Sequence, residues 1–301
     1  MSAHDQPDLL SHVVHLRAVL EDPPRGEFLG REAHALFLSV IEDVNPSLAA
    51  QLHDSPALKP FTVSPLIWEG NRRAWLRFTV FGPTVARSFA EALDSGLLGP
   101  RIRLGQTEFE VADVYSDVLQ HPWSATDSYE ALWERHMRSR STFDRRIALH
   151  FVTPTTFRAQ QKTTPLPQPE LVFSSLLTKW NAFSPRPLNR VAQDYFRDGL
   201  SVSRHELQTD FLDLGRGRRQ VGFRGVCEFV GSSSCDEGLR AARMLAEYAF
   251  YAGVGYKATM GMGMATPTEP ADSVMYRMGE DGRSYAGGPI APARTARLAR
   301  V

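Results

Sequence analysis

The sequence predicts an α+β protein built from two tandem ferredoxin-like (RRM-like) βαββαβ domains. Three observations carry this. Between residues 12 and 120, apolar β-branched runs and helical periodicities alternate in the order β-α-β-β-α-β. The same order recurs between residues 145 and 267 without any repeat of sequence. A polar stretch at 121–142 separates the two. Each unit should place an antiparallel sheet on one side and two helices on the other, an arrangement also used by RNA-recognition domains.

The elements follow in order. HVVHLRAVL at 12–20 reads as a first strand, and REAHALFLSVIED at 31–43 as a helix with Ala33, Leu36, Phe37, Val40 and Ile41 on one face. Asn45-Pro46 ends that pattern, and Pro46 to His53 forms a short second helix. KPFTVSPLIW (59–68) and RAWLRFTVF (73–81) are strands joined by a polar turn. Residues 84–95 are helical in composition, and 107–120 form a strand. The polar residues 121–142 form a connecting helix or linker. In the second unit, RRIALHFV (145–152) is a strand, 153–170 a long Pro/Thr/Gln-rich loop and 170–182 an amphipathic helix. Residues 200–212 and 218–230 alternate like a hairpin with GRGRR at its turn. DEGLRAARMLAEYAFY (236–251) is the clearest helix, with Asp236 and Glu237 placed where the helix dipole favours them. A short strand at 262–267 closes the unit. The expected domains are therefore 1–125 and 144–268, with a linker at 126–143 and a flexible Pro/Gly/Ala/Arg-rich tail at 269–301.

Composition narrows the class. With 43% hydrophobic and 23% charged residues, the chain reads as an ordinary soluble globular protein. It has no apolar run of about 18 residues to span a membrane, and MSAHDQPDLL lacks the pattern of a secretory signal. Its two cysteines, Cys227 and Cys235, read as reduced thiols of a cytoplasmic protein, too few for a disulfide scaffold and wrongly spaced for zinc. The net charge of zero hides an asymmetry. Residues 1–140 hold 13 Lys+Arg against 19 Asp+Glu, whereas 141–268 hold 16 against 11. A basic half is what phosphate binding asks for.

The most specific feature is AGVGYKATMGMG, in which Gly253, Gly255, Gly261 and Gly263 punctuate the passage from a helix to the terminal strand. Glycine tolerates positive φ and close backbone approach to a ligand. Nucleotide loops run from strand into helix, so the reversed order argues against ATP or dinucleotide binding. Lys257 and Thr259 suit a phosphate backbone by charge and by hydrogen bond.

This segment resembles the glycine-rich signature of the CRISPR-associated RAMP superfamily. His53-Asp54 followed by Lys59-Pro60-Phe61-Thr62-Val63-Ser64-Pro65-Leu66 resembles the segment after the first helix of the precursor-crRNA-processing endoribonucleases. So do Thr153-Pro154-Thr155, Leu166-Pro167, Val172-Phe173 and Trp180-Asn181. The resemblance runs from about residue 12 to 267. It implies two ferredoxin-like domains and metal-independent RNA cleavage, with no cofactor. It also implies that His53 is a general acid or base and Lys59 an electrostatic stabiliser. Many members carry a tyrosine or second histidine in the first helix; here no tyrosine occurs there and His34 stands in its place.

The chemistry fits those residue types. RNA supplies its own nucleophile, the 2′-hydroxyl. A base must take its proton, an acid must protonate the leaving 5′-oxygen, and a cation must stabilise the charge between them. Histidine serves the first two and lysine the third. Arg216, Arg218 and Arg219 form a basic hairpin tip able to grip a repeat stem. His12, His15, His121, His136, His150 and His205 read as structural or surface residues, and Phe61, Trp180 and Phe183 as core before base-stacking platforms. Two functions remain open on these grounds: an endoribonuclease on CRISPR repeat RNA, and a non-catalytic crRNA-binding subunit of an interference complex. Partner subunits and a homodimer also stay open.

Overall fold

The computed structural model describes residues 7–54, 57–138, 144–159, 162–214, 219–232 and 235–269. The first half runs β1 (Leu9–Ala18), α1 (Gly30–Val44), α2 (Pro46–Asp54), β2 (Phe61–Val63), β3 (Ile67–Trp68), β4 (Arg73–Val80), α3 (Pro83–Asp94), β5 (Arg101–Leu104), β6 (Thr107–Tyr115) and β7 (Ala125–Asp127). A short helix α4 (Tyr129–Trp133) and a π-helical turn (Glu134–Arg138) lead onward. The second half runs β8 (Arg146–Thr155), β9 (Phe157–Ala159), β10 (Lys162–Thr164), α5 (Pro169–Phe183), α6 (Arg190–Asp198), β11 (Leu200–Asp213), β12 (Arg219–Gly231), α7 (Asp236–Ala252), a 3₁₀ turn (Ala258–Met260) and β13 (Ala265–Thr268).

The strand orders are β2-β4-β1-β6-β5 and β11-β12-β8-β13, with neighbouring strands antiparallel throughout. Both place the first strand of the unit centrally, between its third and its last. That is the tandem ferredoxin-like arrangement. Among the described residues, no helix is long and apolar enough to cross a membrane.

Some sequence expectations are corrected. The strand expected at 107–120 ends at Tyr115 and is the second arm of a hairpin with β5. The stretch read as loop from Thr153 carries the end of β8 and the β9–β10 hairpin. Helix α6 went unread because its moment is carried by only Ala192, Tyr195 and Phe196 among charged neighbours; Asn189 caps it by accepting from the Val191 and Ala192 amides.

The central strands β1 and β4 are buried on both faces, while β5 and β6 turn one face to solvent. Leu10, Val14 and Leu16 of β1, with Leu76 and Phe78 of β4, pack on Phe37 and Phe89 of α1 and α3. The alternate residues Leu9, Val13 and Trp75 join a second core containing Leu245, Tyr248 and Phe250 of α7. Two-sided burial explains why the apolar residues of β1 fall on both of its faces and not in strict alternation. Each fully buried Phe or Leu contributes roughly 1.5–3 kcal/mol, so α7 joins the two halves into one body.

Candidate active site

The site lies where α1, the segment after α2, and the loop after α7 converge. Helix α1 begins at Gly30, where a Cβ would sit 2.0 Å from the carbonyl oxygen of Met260, so only glycine fits. One turn later, Arg31 and His34 share a helix face, three residues apart. His34 is half-buried and its Nδ1 lies 2.7 Å from the Thr259 carbonyl oxygen. A carbonyl only accepts, so Nδ1 carries the proton and the neutral ring keeps Nε2 as an acceptor. Burial lowers the His34 pKa; the Thr259 hydrogen bond opposes this, while the charges of Lys59 and His53 add to it.

Helix α2 opens on Asn45, whose side-chain oxygen accepts from the Leu48 amide at 3.1 Å. His53 occupies its last turn and is exposed. Lys59 folds back so that Nζ donates to the His53 carbonyl at 3.2 Å, satisfying a helix-terminal acceptor. Partial burial lowers the Lys59 pKa, and Asp54 counters it. His34, His53 and Lys59, distant in the sequence, are thus brought within electrostatic reach of one another.

The glycine-rich loop is held by its own backbone. Tyr256 N–H donates to Thr156 O at 2.8 Å, Gly263 N–H to Pro154 O at 3.1 Å, and Gly255 N–H to Ser175 Oγ at 2.8 Å. Gly253, Gly255, Gly261 and Gly263 all have positive φ. A Cβ on Gly263 would lie 2.0 Å from Val254 O, and one on Gly255 would lie 2.4 Å from Thr156 O. At these positions the missing side chain makes room for the protein's own backbone. Lys257 is the sole described non-glycine residue with positive φ, at 61°. That conformation costs an L-residue roughly 1–2 kcal/mol, a strain that the surrounding contacts sustain. Lys257 Nζ and the Arg158 guanidinium each stand 5.5 Å from the Tyr256 ring centroid, and Arg158 also donates to the Tyr256 hydroxyl at 3.0 Å.

Between these walls lies a cleft of about 460 Å³ that receives Arg31, Lys59, Lys179 and Lys257 together with Thr259. Of the residues singled out in the sequence, Lys59, Gly255, Lys257 and Thr259 line the cleft, and His34 adjoins it through Thr259. Arg219 begins β12, paired with Asp213 at the hairpin end, and is exposed. Arg216 and Arg218 lie outside the described residues. The hairpin still reaches the cleft: Leu214 lines it, and its carbonyl is 3.4 Å from Arg31 Nη1.

Two cleft cations were missed in the sequence. Arg31 is signalled only by its three-residue spacing from His34. Lys179 is signalled by phase, since Val172, Leu176 and Lys179 fall on one buried stripe of α5. The remaining histidines lie elsewhere. His12 and His121 are buried, His15 meets His121 edge-on at 5.2 Å between ring centroids, and His136 Nε2 pairs with Glu247 at 2.6 Å.

Tandem ferredoxin-like halves, a glycine-rich loop and a cationic cleft fit the CRISPR-associated class that the sequence resembles, and comparison with known proteins narrows it. The family model for the CRISPR-associated endoribonuclease Cas6 matches residues 149–265, and that for the CRISPR Cas6 N-terminal domain matches residues 12–81. A Cas6 product complex is 30% identical with a TM-score of 0.74, covering 86% of this chain and all 100% of that one. Thermus thermophilus Cas6 is 30% identical with a TM-score of 0.69, covering 87% of this chain and 99% of its own. A CRISPR-associated endoribonuclease Cas6 from Streptococcus thermophilus is 28% identical over 120 residues, 39% of this chain and 48% of its own length. The chain spans about half the length of that curated relative. The chain belongs to the Cas6 family.

Proposed function

We propose that this protein is a metal-independent endoribonuclease of the cytoplasm that cuts CRISPR repeat RNA within the precursor transcript, releasing guide RNAs. The observation that carries the reading is the His34–Thr259 hydrogen bond. It leaves an unprotonated imidazole nitrogen beside a cleft lined by four cations. In the reaction, His34 Nε2 takes the proton of a 2′-hydroxyl as its oxygen attacks the adjacent phosphorus. His53 gives a proton to the departing 5′-oxygen as the P–O5′ bond breaks. Lys59, with Arg31, stabilises the negative charge on the non-bridging oxygens. The products are a 2′,3′-cyclic phosphate and a 5′-hydroxyl. A cleft lined by cations disfavours a divalent metal ion and favours phosphate, which supports the metal-free route. Lys257 and Thr259 hold the flanking backbone; the glycines fix the shape of the loop that presents them. Arg216, Arg218 and Arg219 contact the repeat stem. Helical and imidazole geometry together support catalysis over binding alone.

The test is single-turnover cleavage of repeat RNA in EDTA by the wild type, His34→Ala and His53→Ala. Each variant should be slowed by about 100-fold or more, and a 2′-deoxy substitution at the cut site should abolish cleavage. Repeat RNA that binds and is never cut would identify a non-catalytic crRNA-binding subunit instead.

A further inference from the structure

Helix α7 ends at the cleft, and its last carbonyls carry the negative end of a 17-residue helix. An RNA phosphate brought there meets repulsion unless those oxygens are neutralised. All of them have donors. Ala249 O accepts from the Gly253 amide, Phe250 O from Arg77 Nη2 at 2.6 Å and Tyr251 O from Thr79 Oγ1 at 2.6 Å. Lys179 takes the two nearest the glycine loop: Nζ donates to Ala252 O at 2.8 Å and to Gly253 O at 2.9 Å. An ammonium has three donors, so two such bonds leave one for a further acceptor. Lys179 is 8% exposed and lines the cleft.

We propose that Lys179 reverses the electrostatic sign of the α7 terminus and, with its remaining N–H, contacts an RNA phosphate on the cleft floor. This rests on reading the cleft as the RNA site. It adds a cation on the cleft floor, from the second half, to Arg31, Lys59 and Lys257. Burial lowers the Lys179 pKa to about 7, and an anion in the cleft draws the charged form back. A neutral polar side chain would cap the same carbonyls; only a cation both caps them and attracts phosphate.

The experiment measures binding of repeat RNA carrying a 2′-deoxy at the cut site, over a series of salt concentrations, to the wild type, Lys179→Met and Lys179→Arg. Lys179→Met should weaken binding at least tenfold and lower the slope of log Kd against log salt by about 0.7, the value for one phosphate contact on a single strand. Lys179→Arg should keep the wild-type slope. Weaker binding with an unchanged slope assigns Lys179 a merely structural part and overturns the proposal, as does a folded Lys179→Met with wild-type affinity. Should Lys179→Met fail to fold by circular dichroism, Lys179→Gln, which keeps an N–H donor but no charge, is read by the same two criteria. A wild type that binds no repeat RNA instead sinks the reading of the cleft itself.

Discussion

The guanidinium of Arg77, in the first sheet, donates to the carbonyl of Phe250, in the last helix, at 2.6 Å. The same group is held by Ser11 Oγ at 2.8 Å and Trp123 O at 2.9 Å, and lies 4.0 Å from the Phe250 ring centroid. Burial pushes the Arg77 pKa down to about 9, yet its three acceptors keep it in place. Arg77→Met should cost about 2–4 kcal/mol, because two carbonyls and a hydroxyl lose a charged donor inside the protein. Urea unfolding checks this. A variant as stable as wild type would show that the acceptors find other donors.

The pH dependence of cleavage has a worked sign. The base must be neutral to act, and burial lowers the His34 pKa from the ordinary histidine range. The acidic limb of the single-turnover rate should therefore rise with pH and level off below about 6.5, the value of an unperturbed histidine. His34→Ala should remove that limb. A limb centred well above 6.5 would assign the base elsewhere.

The glycine loop makes a paired prediction. Gly263→Ala would place a methyl 2.0 Å from Val254 O at a φ of 72°, so it should destabilise the protein and weaken RNA binding by tenfold or more. Gly26 also has positive φ, at 94°, but meets nothing within 4 Å. Gly26→Ala should cost only about 1 kcal/mol and leave RNA binding unchanged. Equal effects on binding would mean that strain alone, and not the loop's fit, is responsible.

Acid should weaken the fold through histidines that the chemistry does not use. Burial lowers the pKa of both His12 and His121 to about 4. Above the unfolded value near 6.5 both states are neutral and stability is full. Below it the unfolded chain takes up protons that the native one refuses, so stability falls by up to about 1.4 kcal/mol per pH unit for each histidine, down to pH 4. Replacing His12 by Phe, beside Phe89 at 5.4 Å, should flatten the slope measured by urea unfolding between pH 6.5 and 4.5.

The sequence was most legible where periodicity was strong. Helices α1, α5 and α7 begin and end within about two residues of expectation: α1 and α5 each bury one apolar stripe, and α7 is buried nearly all round over its last turns. Helix α6 was illegible because five of its nine residues, Arg190, Gln193, Asp194, Arg197 and Asp198, are polar. The loop around Thr153–Thr164 hid the end of β8, whose Thr155 pairs with Phe223 of the distant β12, and a β9–β10 hairpin only three residues long on each arm. His34, His53 and Lys59 were singled out through motif resemblance, while their convergence is a matter of tertiary contact. Lys179 looked like a helix lysine in phase with core residues; only the end of α7 against it gives that phase a meaning.

Strands β1 and β4 are covered on both faces, and this bears on how such a protein can be divided. Severed from α7, the amino-terminal half would bare Val13, Trp75 and Phe81, an adhesive surface that invites aggregation. The two halves share an architecture yet cannot be exchanged like cassettes. A graft of one half onto a foreign partner must carry a matching α7, and separately expressed fragments should become soluble only when made together.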